Sequence, residues 1–130
     1  MTHNEISRII IDAAMEIHTK LGPGLLEIVY RKILAHELRK RGLRVEEEWP
    51  IPVDWDGFRI EPVGYRMDLL AESKVMVELK SVEKITPVFK KTLNTCLRLG
   101  DKRLGMLINF GAEHLRDGIS RVVNGLVEED

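Results

Sequence analysis

Two carboxylates and an ammonium, Asp68, Glu78 and Lys80, stand inside YRMDLLAESKVMVELKS, a stretch from Tyr65 to Ser81 that otherwise reads as two apolar strands about a short polar break. Charged side chains are rarely buried unless paired, and strands this apolar are normally covered on at least one face. Something must compensate the charges. Alternation along a strand puts Glu78 and Lys80 on one face and Val75, Val77 and Leu79 on the other, the expected core side. With an odd-numbered turn centred on Ser73, Asp68 falls directly opposite Glu78, the paired backbones roughly 5 Å apart. An even-numbered turn would move it to the wrong face. Two adjacent carboxylates repel unless a proton or cation intervenes, and hard oxygen ligands at this separation suit Mg²⁺ or Mn²⁺. A lysine two residues on could position a water or steady negative charge developing on a phosphate. A cross-strand salt bridge on a partly exposed face is the plain structural alternative, and spacing does not separate the two.

The elements that must position these residues follow from periodicity. Ile6, Ile10, Ala13, Ile17 and Leu21 recur at helical spacing behind a Thr2/Glu5 capping box, so a helix is expected from about Asn4 to Lys20. Gly22-Pro23-Gly24 stops it. Leu26, Tyr30, Ile33, Leu34 and Leu38 make the stripe of a second helix, from Leu25 to about Arg41, with Gly42 at its C-terminal cap. Short strands or an edge segment broken by prolines follow, over Leu43 to Trp49 and Ile51 to Asp54. Asp56-Gly57 signals a hairpin turn before Phe58-Arg59-Ile60. The quoted hairpin has strands at about Gly64 to Leu70 and Val75 to Ser81. A third helix is expected from Pro87 to Leu99, a buried central strand over Leu104 to Phe110, and a last helix from about Glu113 to Leu126. The acidic tail Glu128-Glu129-Asp130 should fray. A helix between the hairpin and the apolar strand permits a parallel crossover, so the fold class is α/β, a mixed sheet covered by helices.

Composition narrows the function classes. At 130 residues, with 44% apolar and 32% charged positions, the chain suits one folded domain spanning 1–130. A net charge of -1 supplies no global pull toward a polyanion, so any such contact needs a local patch. Lys84, Lys90 and Lys91, with Arg98, Lys102 and Arg103, form one basic group. Arg31, Lys32, Arg39, Lys40 and Arg41 form another. Solvated helix faces are the commoner reading of such runs. The single Cys96 excludes an internal disulfide and reads as a small buried residue. His3, His18, His36 and His114 are too dispersed for a zinc site. Acidic residues interrupt the N-terminal apolar pattern, and no apolar run reaches spanning length, so a cytoplasmic chain without a membrane segment is expected.

Gly24, Glu27 and Tyr30 spell G-x-x-E-x-x-Y. With Asp68, Glu78-Leu79-Lys80 and the INF within Leu107 to Phe110, the chain resembles the GxxExxY family, part of the PD-(D/E)xK nuclease superfamily, from about Ile6 to Val123. The resemblance implies a restriction-endonuclease-like core in which Asp68, Glu78 and the Leu79 carbonyl hold Mg²⁺ or Mn²⁺. Lys80 would orient or activate water, and Glu27 would reach in from the second helix. Metal-assisted hydrolysis of nucleic-acid phosphodiesters is the implied activity, with DNA ahead of RNA, Lys84, Lys90 and Lys91 as phosphate contacts, and a homodimer by analogy. The chain departs from the family where a Q-x-x-x-Y pattern would place Gln and Tyr, carrying Thr92 and Cys96, and where a His-Glu pair would follow the proline, carrying Phe89-Lys90. A second reading stays open beside the first: a non-catalytic module for nucleic-acid binding or protein assembly.

Overall fold

The computed structural model describes residues 1–127, without the side chains of residues 61–63. Helix α1 (His3–Leu21) begins at the expected capping box, the Thr2 hydroxyl accepting the Glu5 N–H while the Glu5 carboxylate accepts the Thr2 N–H. Helix α2 (Glu27–Lys40) closes on Gly42 at φ +93°. The Gly42 and Leu43 amides turn back to the Arg39 and Leu38 carbonyls, a pattern that needs a residue tolerant of left-handed backbone.

Strand β1 (Val45–Trp55) and strand β2 (Phe58–Ala71) form one long antiparallel ribbon, joined at Asp56-Gly57, both with positive φ. The expectation that prolines break this region is corrected: β1 runs through Pro50 and Pro52. It lies at the edge of the sheet, where a residue without an N–H loses no ladder bond. Strand β3 (Val75–Lys80), helix α3 (Pro87–Leu99) and strand β4 (Leu104–Asn109) lie as expected, β4 parallel to β3 after the α3 crossover.

The expected last helix is overturned. Residues Leu115–Gly118 make a single 3₁₀ turn, and Ile119–Val123 form strand β5, antiparallel to β4. Leu115, Ile119, Val122 and Leu126 do repeat at helical spacing, but β4 would otherwise present an unpaired edge, and the β-branched Ile119, Val122 and Val123 suit a pleated surface better than a helix. Among the described residues the sheet has five strands in the order β1-β2-β3-β4-β5. The acidic tail lies outside the described residues.

The mixed sheet is covered on both sides. One apolar cluster joins α1 and α2 to the sheet through Ile10, Tyr30, Leu34, Val77 and Phe110. The other lies beneath α3 and includes Met76, Leu93, Leu97 and Leu107. Val75, Val77 and Leu79 are buried as expected, yet Met76 on the opposite face is equally buried. Glu78 and Lys80 therefore face a covered layer, with side chains only 20% and 25% exposed.

Tyr30 shows how the first cluster reaches the loop before α2. Its ring stacks on Phe110 with centroids 4.4 Å apart. Its hydroxyl donates to the Gly22 carbonyl and accepts the Leu25 N–H at 3.2 Å. Tyr30→Phe would leave both loop groups without that partner, and is expected to cost about 1–3 kcal/mol in a denaturant titration. An unchanged midpoint would show that the loop does not need the hydroxyl.

Candidate metal centre

Three elements converge on the carboxylates. Glu27 opens α2, and its approach is set by the loop that Tyr30 holds. The Ser81 hydroxyl donates to the Leu25 carbonyl at 2.7 Å and ties the end of β3 to that loop. Asp68 lies in β2 and Glu78 in β3. The turn between those strands holds three residues, Glu72 to Lys74. Leu69 pairs with Val77 and Ala71 with Val75, so the register carries Asp68 opposite Glu78, as expected from an odd-numbered turn.

Simple alternation missed what happens at Asp68. Met67 packs in the α3-side cluster and Leu69 in the opposite cluster, although strict alternation would give both the same face. The change of face falls at Asp68. The facing residue, Glu48, has φ +50°, and these two are left out of a ladder whose neighbours, Glu47–Leu69 and Trp49–Met67, are paired. Freed from the ladder, the Asp68 carboxylate accepts the Leu79 N–H at 2.7 Å. Leu79, expected from the resemblance to lend its carbonyl, thus sits with its peptide directly against Asp68.

Glu27, Asp68 and Glu78 each offer a carboxylate oxygen within 4.8 Å of the others. Lys80 Nζ lies 3.9 Å from Glu78 and 4.7 Å from the centre of the Phe89 ring, which supports the ammonium from below. Burial first, then the Asp68 charge and a hydrogen bond to Asp68, push the Glu78 carboxyl up to about 9. The Glu27 carboxyl is also raised, by burial and then by Asp68, with Lys80 and Arg31 opposing. Three carboxylates and one ammonium, all ionised, would leave two negative charges that a divalent cation balances. Without one, protons take its place. Hard oxygen donors so arranged fit Mg²⁺ or Mn²⁺ and offer nothing to a soft metal.

A cavity of about 310 Å³ opens beside Glu78 and Lys80, lined further by Val88, Phe89, Thr92 and Leu93. The two departures from the family pattern adjoin the site: Thr92 lines this cavity, and Cys96 is buried, its thiol pushed up to about 11 by burial and by the Glu78 charge. Phe89, legible in the sequence only as a departure, is the residue over which Lys80 lies. Asn109 was missed as well. Its side chain, 2% exposed, bonds both the N–H and the carbonyl of Val82 and accepts the Gly111 N–H, joining the chain ends that leave β3 and β4.

The basic groups divide. Arg31 pairs with Glu47 and Glu48, Lys32 and Arg39 with Glu47, Lys40 with Glu37, and Arg41 with Glu37 and Glu16. Each cation of that group thus has a carboxylate partner, although Lys32, Arg39 and Lys40 stay exposed to solvent. Lys84, Lys90 and Lys91 are exposed at the start of α3. Lys84 and Lys90 line a separate cavity of about 400 Å³ with Glu83, Glu113 and Asp117, so the structure does not bring them onto the carboxylates. No helix among the described residues is long and apolar enough to cross a membrane.

The family model described as the PD-(D/E)XK nuclease superfamily matches residues 4–122 of the chain. No curated protein and no solved structure gives a significant match.

Proposed function

Because the chain belongs to the PD-(D/E)XK nuclease superfamily, we propose that it is a divalent-metal-dependent nuclease of the GxxExxY type, hydrolysing nucleic-acid phosphodiester bonds as a single domain. The observation that carries the proposal is the meeting of Glu27, Asp68 and Glu78, from three separate elements, within 4.8 Å beside Lys80. Asp68 and Glu78 would hold Mg²⁺ or Mn²⁺, with the Leu79 carbonyl beside them and Glu27 completing the acidic set. Such an ion supplies Lewis acidity toward a phosphoryl oxygen and an acidified water. Lys80, steadied by Phe89, would orient that water and offset charge gathering on the phosphate. The covered faces around β3 limit bulk water and strengthen each of these electrostatic effects. DNA is our first choice of substrate, ahead of RNA.

Purified protein mixed with supercoiled DNA, linear duplex, single-stranded DNA and RNA should cleave at least one of them in Mg²⁺ or Mn²⁺ and none in chelator. A second reading has its own observation: Thr92 and Cys96 adjoin the site without offering the amide and phenol of the family pattern. Divalent-ion binding with no cleavage of any of the four substrates would favour that reading, a binding module built on the nuclease fold.

A further inference from the structure

The cavities around the sheet differ in kind. The one that Lys84 and Lys90 line with Glu83, Glu113 and Asp117 is ringed by charges of both signs. Another, of about 430 Å³, lies between the end of α1 and the 3₁₀ turn, and none of the three site carboxylates lines it. The cavity of about 310 Å³ beside the carboxylates carries charge on its β3 side only, from Glu78 and Lys80; α3 supplies Val88, Phe89, Thr92 and Leu93. It leads from an exposed rim, Val88 at 57%, to a buried floor, Leu93 at 1%. That is the liquid volume of roughly ten waters, room for on the order of ten non-hydrogen atoms, which is one nucleobase and less than a stacked pair.

The lining groups match one nucleotide. Phe89 offers an aromatic ring, and the Lys80 ammonium stands 4.7 Å from its centre. A nucleotide presents the complement, a flat base that stacks on aromatic side chains and, one sugar away, a phosphate that seeks a cation. Thr92 adds a hydrogen-bonding group. A threonine hydroxyl inside a helix commonly bonds back to the preceding turn, as Thr95 does to the Lys91 carbonyl at 3.1 Å. The Thr92 hydroxyl has no hydrogen-bond partner among the described residues, and Thr92 lines the cavity. The Gln of the family pattern would take up part of this space, so the room belongs to this chain's departure at Thr92. Because the recess lies between β3 and α3, a base reaches it only by leaving its stack, which costs least where the base is already unpaired.

We propose that this cavity is a subsite for one unstacked nucleobase, the base of a nucleotide whose phosphate meets Lys80 and the ion. The substrate class is then nucleic acid with an unpaired nucleotide at the cut, a single strand or loop rather than intact duplex. Thr92 is the specificity-determining residue, its hydroxyl bonding a polar edge of the base. The inference rests on the nuclease reading for the place of the phosphate, but base binding is separable from cleavage.

The test titrates the full chain, in Mg²⁺, with thymidine 5′-monophosphate and with deoxyribose 5-phosphate, the same sugar and phosphate without the base. Neither contains a diester to cut. Wild type is compared with Thr92→Val, which keeps the shape and removes the hydroxyl, and Thr92→Phe, which fills the recess; thermal melts confirm that both fold. In wild type the base should tighten binding about 5- to 100-fold. Thr92→Val should weaken the nucleotide alone by about 2- to 10-fold. Thr92→Phe should bring the two ligands within about twofold of each other, with the affinity for the sugar phosphate unchanged. Equal affinities in wild type, or no measurable binding of either ligand, overturn the proposal. So does a base preference that survives both substitutions, which would seat the base elsewhere. A Thr92-dependent base preference in a protein that cleaves nothing would sustain the subsite while refuting the nuclease activity. Metal-dependent cleavage without a base preference would do the reverse.

Discussion

Lys80→Ala is expected to lower metal-dependent cleavage by roughly 10²- to 10³-fold without loosening the fold or the carboxylates' grip on a divalent ion. The side chain stands at the end of β3 with its ammonium over Phe89 and 3.9 Å from Glu78. Truncation removes a cation from beside the carboxylates, so the proposed attraction for Mg²⁺ would stay or strengthen while the group proposed to orient water is lost. Lys80→Arg keeps charge but replaces a compact ammonium with a broad fork that cannot occupy the same place over the ring, and should recover only part of the rate. Initial rates on whichever substrate the wild type cuts, set beside a calorimetric Mg²⁺ titration of each variant, separate chemistry from binding. Wild-type rates in Lys80→Ala would remove the lysine from the mechanism.

The second large effect concerns protons. Without a metal, burial and the neighbouring Asp68 hold the Glu78 carboxyl near 9, whereas in the unfolded chain it titrates at about 4.3. Between those values the folded protein keeps a proton that the unfolded chain has released, so stability is full below the lower value and declines as pH rises toward the upper. The slope for this one group approaches about 1.4 kcal/mol per pH unit. On the proposed function a divalent ion would replace the proton. Mg²⁺ should therefore stabilise more strongly the higher the pH, and binding near neutrality should release close to one proton. Glu78→Gln keeps shape and hydrogen bonding but cannot ionise. It should flatten the pH dependence, raise metal-free stability above neutral pH and abolish stabilisation by Mg²⁺. Thermal melts between about pH 6 and about pH 8.5, with Mg²⁺ and with chelator, read all three. Melts insensitive to both pH and Mg²⁺ would break the link between Glu78 and the ion.

Much of this architecture is written locally. The Thr2/Glu5 box, the Gly42 cap, Pro87 at the head of α3 and the Asp56-Gly57 turn each satisfy backbone groups within a few residues of themselves, so the stop and start signals could be read without knowing the neighbours. For the pairing of Asp68 with Glu78 the sequence left an odd- or even-numbered turn open, and the structure supplied the choice. A three-residue turn sets the register, and register decides which side chains meet. The amino-acid sequence by itself thus determined the helices, the central hairpin and the parallel strand after α3.

Tertiary structure decided the rest, because the rest depends on groups far apart in the chain. Residues 119–123 have a spacing that suits a helix, but the open edge of β4 made them a strand, since an unpaired buried ladder costs more than local propensity supplies. The basic cluster around Arg31 and Arg39 reads in the sequence as a solvated face; its pairing with Glu47 appears only when β1 is brought against α2. Glu27 meets the carboxylates from the start of α2, after a loop bonded by the Tyr30 hydroxyl and by Ser81. The change of face at Asp68 falls opposite one left-handed residue, Glu48, on the paired strand. Alternation is a rule for a single strand; where two twisted strands must bury different faces against different helices, the sheet as a whole settles which way each side chain turns.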